Sequence, residues 1–465
     1  MTYKLRSEKD LLGSLKVPST AYFGIQTQRA IDNFNLSGKL LCEYPELIKA
    51  LAYIKSACAR ANNDLNDLTS HKAEAICTAV EKIIAGQFDS SFPIDMIQGG
   101  AGTSTNMNIN EVIANVALET LGHEKGDYQQ LHPNTDVNMS QSTNDIYPSA
   151  VRLAILLRQK PMLSELEKLV SAFADKGIEF SGILKLARTQ LQDAVPMTLG
   201  QEFTGFANNL KEDIKLLRQT SLLLTEINIG GTAVGTGINA KQGFAKLAIE
   251  NITQLTEVNF TQADDLVEAS SDMGAFVLYS STLKRLSLKL SKIANDLRLL
   301  SMGPRAGISE ISLPSRQPGS SIMPGKVNPV IPEAVSQCSY QVIGNDMAIT
   351  MASEAGQLQL NAMEPLIAVN MLDSIKLLTN SMKMFREFCI EGISANEQRC
   401  SDLLNQSLGL VTALNPYLGY EVSTAIAKRA LVSNDSVIDI IKNEKLLSEE
   451  QLNNILNIEK MTQPM

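Results

Sequence analysis

The longest regular pattern of apolar residues in the chain runs from position 276 to position 300. Its members are spaced alternately three and four residues apart, at Phe276, Tyr279, Leu283, Leu286, Leu290, Ile293, Leu297 and Leu300. This spacing places them on one face of a helix and is typical of helices that pack at a shallow angle. A helix of this length is about 40 Å long at 1.5 Å per residue, so the pattern predicts a long helix bundle.

Helical spacing of apolar residues recurs along most of the chain. It predicts further helices over residues 45–65, 72–86, 107–121, 201–228, 333–353 and 357–393. Strand-like alternation is nearly absent, so we expect a mainly α protein. A length of 465 residues suggests about three domains. We predict a mixed, mainly helical N-terminal domain, a central long-helix domain with a flexible loop at 317–329, and a small helical C-terminal domain, at 1–143, 144–396 and 397–465.

Four loops rich in serine, threonine, asparagine and glutamine interrupt the helical stretches, at residues 95–106, 132–145, 188–193 and 319–329. The last contains two serines, a lysine and an asparagine among glycines and prolines, which disfavour both helix and strand. A helix cap accounts for one polar residue, but six follow one another from Ser140 to Asp145. Because functional residues concentrate on polar loops held by rigid elements, we expect the functional site here.

Composition and charge exclude several classes of partner. The net charge of −9 and the pI near 5.1 argue against a nucleic acid or an anionic membrane. No run approaches the ~18 apolar residues of a membrane span, and the first 19 residues carry charges throughout, without the apolar core of a signal peptide. Six scattered cysteines predict reduced thiols, and three histidines leave a zinc site almost without ligands. We therefore expect a cytoplasmic protein with no nucleic-acid or membrane partner.

Familiar catalytic templates do not match the polar loops. Between Gly319 and Gly325 there are five residues, and Val327 follows the lysine, whereas a phosphate-binding P-loop needs four residues and then Ser or Thr. The chain has no Gly-x-Ser-x-Gly elbow, and no histidine lies in the serine loop. After these exclusions, the four loops offer the neutral hydrogen-bond donors of their Ser, Thr, Asn and Gln residues and the cation Lys326, at the ends of long helices. Such a set suits a small carboxylate substrate.

The polar loops resemble the signature regions of the aspartase/fumarase superfamily. The serine loop reads GSSIMPGKVNP over residues 319–329, and the two other matching regions are residues 99–111 and 138–145. The resemblance extends over nearly the whole chain. It implies a three-domain fold whose long central helical bundle forms the core of a homotetramer. It also implies active sites built from residues of three chains, in agreement with the long pattern at 276–300.

The resemblance also implies the roles of individual residues. Ser320, the first serine of the loop, matches the general base that removes a proton next to a carboxylate and produces an aci-carboxylate intermediate. The residues that match substrate-binding positions are Thr103, Ser142, Thr143, Asn144, Thr189, Gln190, Ser321, Lys326 and Asn328. Lys326 would pair with a carboxylate. No metal ligand and no required cofactor are implied, and the sequence does not decide whether a divalent metal such as magnesium activates the enzyme.

Gln190 helps to choose between branches of the family. Residues 188–203 and 354–361 resemble the carbon–nitrogen lyases that deaminate L-aspartate to fumarate and ammonia. Fumarases have a histidine where Gln190 stands, tied to a glutamate that matches Glu333. Hydroxide leaves only with the help of an acid, which glutamine cannot supply. Deamination is therefore our main hypothesis, and hydration of fumarate and an inactive helical scaffold are the alternatives.

The intact Ser320, Lys326 and Asn328 disfavour an inactive scaffold, because such a protein has no use for them. In the C-terminal region Tyr417 stands where many relatives have histidine. For this reason no C-terminal residue is among the predicted site residues.

Overall fold

The computed structural model describes residues 4–462. Residues 1–3 and 463–465, the ends of the outer two predicted domains, lie outside this range. Within it the helices are α1 (Ile25–Asn33), α2 (Pro45–Asp64), α3 (Ser70–Ile84), α4 (Thr103–Thr120), α5 (Thr143–Glu179), α6 (Leu199–Ser221), α7 (Phe244–Thr256), α8 (Leu266–Ala269), α9 (Gly274–Leu300), α10 (Val330–Glu354), α11 (Glu364–Phe388), α12 (Glu397–Gln406), α13 (Leu410–Leu418), α14 (Tyr420–Ser433), α15 (Val437–Asn443), α16 (Glu449–Ile455) and α17 (Ile458–Thr462). The expectation of a mainly α protein is confirmed.

Short strands in the same range form four two-stranded sheets. The strands are β1 (Leu5–Asp10), β2 (Gly13–Pro18), β3 (Leu184–Thr189), β4 (Gln192–Thr198), β5 (Glu226–Ile227), β6 (Thr261–Gln262), β7 (Ile311–Ser312) and β8 (Ser394–Ala395). Sheet β5–β6 is parallel, and β1–β2, β3–β4 and β7–β8 are antiparallel. The apolar pattern did not indicate these strands. β5 to β8 have two residues each, too few to establish alternation, and β1 and β4 contain few apolar residues, with the sequences LRSEKD and QDAVPMT.

The pattern at 276–300 lies on α9, as predicted. All eight of its side chains are at most 6% exposed within the single chain. The pattern therefore packs inside one chain, and any contact between chains must use another face of the helices.

The chain forms two compact units, and α5, α6, α9, α10 and α11 contribute residues to both. Unit 1 comprises Met1–Met162, Leu216–Lys284 and Gln341–Leu377. In this unit α2 packs against α3 and α7, and α3 packs against α4.

The beginning of α1 is fixed by a carboxylate from α4. The Glu111 side chain accepts N–H groups from Gly24, Gln26 and Thr27 at 2.8–3.1 Å. These are the unpaired donors of a helix N-terminus, where a negative charge is favoured. Burial nevertheless raises the pKa of Glu111 to about 7.

Unit 2 comprises Leu163–Lys215, Arg285–Tyr340 and Leu378–Met465. The hairpin β3–β4 packs there against α12, α13 and α17. Its Leu186 belongs to the same buried cluster as Leu404, Leu410 and Ile441 of the C-terminal helices. The three-domain division made from the sequence stays a prediction. Among residues 4–462, no helix combines the length and the apolar character that crossing a membrane requires.

Candidate active site

The first site element of unit 1 is the start of α4. Gly102 precedes it with φ +85°, and a Cβ there would meet the Tyr147 ring at 2.5 Å. Glycine is therefore needed both for the backbone angle and for the close contact. Thr103 follows as the first helical residue, exposed, with its hydroxyl donating to the Gly100 carbonyl oxygen at 2.7 Å.

The start of α5 is held by a buried carboxylate. Asp145 accepts the backbone N–H groups of Ser142 at 2.9 Å, Gly230 at 3.1 Å and Thr232 at 3.0 Å. It thereby joins the beginning of α5 to the glycine-rich segment after β5. Burial raises the pKa of Asp145 to about 6, although the three N–H groups favour its ionised form.

The two site residues after Ser142 are fixed by neutral side chains and backbone. The Asn144 amide donates to the Ala233 carbonyl oxygen at 2.7 Å. The hydroxyl of Thr143 accepts from the Asn106 amide at 3.3 Å, and that amide also donates to Asn138 at 3.1 Å. Because Asn106 lies one turn after the start of α4, this network joins the first turns of α4 and α5.

A buried lysine belongs to the same network. The Lys55 ammonium is fully buried and donates to Asn138 Oδ1 and Gln141 Oε1, each at 2.8 Å. Burial lowers the pKa of Lys55 to about 7. Sequence reasoning missed Lys55, Asn106 and Asp145. The sequence does contain one sign of a buried lysine: Lys55 lies inside the apolar helical stretch at 45–65.

Thr189 and Gln190 are placed at the tip of the β3–β4 hairpin in unit 2. Thr189 pairs with Gln192, and the two residues between them, Gln190 and Leu191, have φ of 56° and 61°. Positive φ at both central residues is a feature of a tight hairpin turn, where asparagine and glycine are usual. Both predicted site residues are exposed.

Backbone and side-chain amide contacts join the two ends of the serine loop, here called its neck, at Gly319 and at residues 326–328. The Gly319 N–H donates to the Lys326 carbonyl oxygen at 2.7 Å, and the Asn328 amide donates to the Gly319 carbonyl oxygen at 2.8 Å. A Cβ at Gly319 would meet that Lys326 oxygen at 2.5 Å, so the neck requires glycine. Ser321 and Lys326 are exposed on the loop.

Ser320 receives two hydrogen bonds from the backbone of its own loop. Its Oγ accepts the N–H of Ile322 at 3.2 Å and the N–H of Met323 at 3.1 Å. Two donors on one hydroxyl oxygen stabilise negative charge on that oxygen.

The predicted site residues fall into two groups. Thr103 and Ser142–Asn144 belong to unit 1, where Asp145 accepts the Ser142 N–H and Asn106 donates to Thr143. The other group belongs to unit 2 and consists of Thr189, Gln190, Ser320, Ser321, Lys326 and Asn328. That all ten serve one site stays a prediction. In the described part of the chain, no three histidine, cysteine, aspartate or glutamate side chains are grouped so that they could hold a metal ion.

Comparison with known proteins finds relatives over the full length. A lyase family model matches residues 13–344, and a fumarase C C-terminal model matches residues 410–463. The chain is 61% identical to an aspartate ammonia-lyase of Pseudomonas aeruginosa, covering 99% of this chain and 97% of that protein. It is 46% identical to an aspartate ammonia-lyase of Escherichia coli strain K12, covering 100% and 97%.

Two solved structures have the same fold. One is a fumarate lyase:delta crystallin from Brucella melitensis bound to cobalt, with a TM-score of 0.97 and 53% identity over 99% of this chain and 100% of that one. The other is a class II fumarase from Schistosoma mansoni, with a TM-score of 0.93 and 34% identity over 99% and 100%.

Proposed function

Since the chain belongs to the aspartase/fumarase superfamily of lyases, we propose that it is an aspartate ammonia-lyase, which converts L-aspartate reversibly to fumarate and ammonia. The observation that carries this proposal is 61% identity over 99% of the chain to an enzyme of that name. The Gln190 position supports the same choice, because deamination does not need the acid that dehydration of malate requires.

The geometry of the serine loop supports Ser320 as the general base. A proton next to a carboxylate is very weakly acidic, so the base must be an alkoxide and the resulting charge must be stabilised. The N–H groups of Ile322 and Met323 stabilise negative charge on Ser320 Oγ. Ser320 takes the proton from C3 of aspartate, and the electron pair moves into the adjacent carboxylate as an aci-carboxylate. Its return forms the C2–C3 double bond, and ammonia leaves from C2 on the opposite face.

The remaining site residues would bind the two carboxylates and the amino group. Lys326 supplies the one cation of the loop, exposed and therefore accessible to a carboxylate. Neutral donors come from the side chains at the starts of α4 and α5, from the hairpin tip and from the serine loop: Thr103, Ser142, Thr143, Asn144, Thr189, Gln190, Ser321 and Asn328. Closure of the loop over a dianion would exclude water and strengthen the field on Ser320. The proposed chemistry uses only side chains and backbone N–H groups of the protein, without a required cofactor.

Apolar side chains exposed on unit 1 support assembly into a homotetramer. Leu278 on α9 is 46% exposed, and Met347 and Met351 on α10 are 63% and 60% exposed. The two helices are joined here by Asp346, which accepts from Ser280 at 2.8 Å and pairs with Lys284 at 2.6 Å. Exposed apolar clusters of this kind mark protein–protein contacts. We place the enzyme in the cytoplasm, with a small-molecule substrate and with neither nucleic acid nor membrane as a partner.

Hydration of fumarate is the second candidate, favoured by the 34% identity to a class II fumarase. Two features argue against hydration. Gln190 stands where fumarases have a histidine that pairs with the glutamate at the position of Glu333, and here Glu333 instead has the Arg298 guanidinium 3.8 Å away. The absorbance of the fumarate double bond, followed with L-aspartate and then with malate, separates the two reactions. Turnover of malate alone would overturn the choice of deamination.

Replacement of Ser320 tests the mechanism. Ser320→Ala is expected to lower kcat by about a thousandfold or more, because the base is lost. Aspartate affinity by titration calorimetry should stay within about tenfold, equal to 1.4 kcal/mol. Ser315→Ala, an exposed serine earlier in the same connection, is the matched control and should retain activity. Turnover of Ser320→Ala close to that of the unaltered enzyme would exclude Ser320 as the base.

A further inference from the structure

Next to the tip of the hairpin that carries Thr189 and Gln190 lies a cluster of charged side chains around the buried Glu310. The Glu310 side chain is fully buried, and its Oε1 accepts from the Arg188 guanidinium at 2.8 Å. The Lys185 ammonium, with its side chain 2% exposed, lies 2.9 Å from Glu310 Oε2 as an ion pair without hydrogen-bond alignment. Lys185 also donates to Glu202 at 2.5 Å.

Two residues of β3, Lys185 and Arg188, contact the same carboxylate. Lys185 and Arg188 are three positions apart, and in a regular strand they would point to opposite faces. The register of β3 against β4 shifts between Leu186 and Arg188. The extra residue of this irregularity lies on β4, because Leu186 pairs with Pro196 whereas Arg188 pairs with Asp193. Both cations nevertheless contact Glu310, and these contacts fix the strand just before the hairpin tip.

Glu310 is itself held by rigid elements of unit 2. Its N–H donates to the carbonyl oxygen of Leu300, the last residue of α9, and its carbonyl oxygen accepts the N–H of Asn396, each at 2.9 Å. The residue before it, Ser309, has φ 53°, a strained angle that sets the direction of the chain. After Glu310 the chain forms β7 and continues into the loop that carries Ser320.

We propose that Glu310 is a positioning residue for the substrate-binding hairpin, acting through Arg188 and Lys185 on Thr189 and Gln190. It fixes the hairpin tip against the strand from which the serine loop starts. Glu310 lies in the interior and does not contact the substrate. This inference rests on the proposed function, which assigns Thr189 and Gln190 to substrate binding.

The test is a double-mutant cycle that measures KM for L-aspartate. Gln190→Ala and Glu310→Gln are each expected to raise KM about tenfold, equal to 1.4 kcal/mol. In the Gln190→Ala background, Glu310→Gln should raise KM less than about threefold, because its effect passes through the hairpin tip. A merely structural role would lower the amount of folded enzyme and its apparent kcat and leave KM unchanged. Glu202→Gln, which also removes a partner of Lys185 but none of Arg188, is the control and should keep the original KM.

A second variant covers the case in which Glu310→Gln does not fold. Arg188→Gln removes the link at the tip and leaves Lys185 paired with both glutamates, and it should raise KM as Glu310→Gln does. If Gln190→Ala raises KM but neither Glu310→Gln nor Arg188→Gln does, or if the effects multiply, the positioning role is overturned and the proposed function stands. A protein that does not convert aspartate, or a Gln190→Ala variant with unchanged KM, overturns the site assignment and this inference together.

Discussion

The exposed methionines of α10 permit a direct test of the proposed assembly. Met347 and Met351 are four residues apart and therefore lie on the same face of the helix, with 63% and 60% of their surface exposed in the single chain. The perturbation is Met347→Glu, which places a carboxylate in the centre of this face. In the isolated chain the replaced side chain is mostly solvated, so the change should leave the fold of the monomer intact.

The expected effect follows from the exposed fraction. Complete burial of a methionine contributes about 1.5–3 kcal/mol, so burial of the exposed part of Met347 contributes roughly 1–2 kcal/mol per chain. Met347→Glu removes this contribution and buries an unpaired carboxylate, which costs several kcal/mol more or forces the chains apart. Every chain of a symmetric assembly carries the change. At about 3 kcal/mol per chain the cost is about 12 kcal/mol per tetramer, enough to dissociate it at micromolar concentration.

Size-exclusion chromatography with light scattering gives the mass, and fumarate absorbance gives the activity of the same fractions. We expect smaller species with unchanged helical circular dichroism and at least about a hundredfold lower turnover, if each site is built from three chains as the family resemblance implies. Val432→Glu, at a side chain 90% exposed on α14, is the control and should remain a tetramer. A Met347→Glu tetramer with normal turnover would refute the assembly face. Dissociation with full turnover would refute the shared site.

Two further predictions concern stability. Burial lowers the pKa of Lys55 to about 7 from 10.5, so between these two pH values the unfolded chain binds one more proton than the folded chain. The free energy of unfolding therefore rises with pH by up to about 1.4 kcal/mol per pH unit. Denaturant titrations at fixed protein concentration should show this rise between pH 7 and 9, and an equal rise in Lys55→Met would contradict the prediction. Leu191 has φ 61°, an angle that asparagine tolerates better than leucine. Leu191→Asn should therefore raise the free energy of unfolding by about 0.5–1 kcal/mol, whereas the control Val195→Asn on β4 should not. Destabilisation by Leu191→Asn would exclude strain at this turn.

Most of the long helices could be predicted from the sequence because they bury a stripe of regular period, but α5, the longest of them, contains Pro148 and Pro161 and was not among the predicted helices. The helix predicted over 333–353 extends from Val330 to Glu354 in the structure, and the one over 72–86 extends from Ser70 to Ile84. The β3–β4 hairpin could not be predicted in this way. Its turn residues, Gln190 and Leu191, are not the usual residues for positive φ, and its strands are held by charges distant in the chain.

The polar loops were recognisable from composition, but the network that fixes them was not. Lys55 is separated by more than eighty positions from Asn138, its hydrogen-bond partner, and no local pattern joins them. Asp145 was visible as one polar residue among six, and its role emerges only from the N–H groups of Gly230 and Thr232 that reach it. Tertiary contacts of this kind leave no periodic signal.

The distribution of strained backbone angles supports the polar loops as the functional part without reference to any relative. Within residues 4–462, twelve non-glycine residues have positive φ. Five are ordinary, being asparagines or residues at helix ends, namely Asn66, Asn239, Glu257, Asn434 and Lys445. Of the other seven, Ala101, Ser140, Gln190 and Leu191 lie in the polar loops, the Thr232 N–H donates to Asp145 of the second loop, and Ser309 and Leu358 lie outside these loops.

Each of these seven conformations costs about 1–2 kcal/mol relative to a relaxed residue. A loop that only joined or capped helices could place glycine or asparagine at such a position without this cost. The strain persists because surrounding contacts determine the backbone, as when the Thr232 N–H donates to Asp145 and the Ser140 hydroxyl donates to Asn62 at 2.9 Å. The strain thus occurs in segments that carry the proposed site residues Ser142–Asn144 and Gln190, as preorganised binding of a dianion by these residues requires.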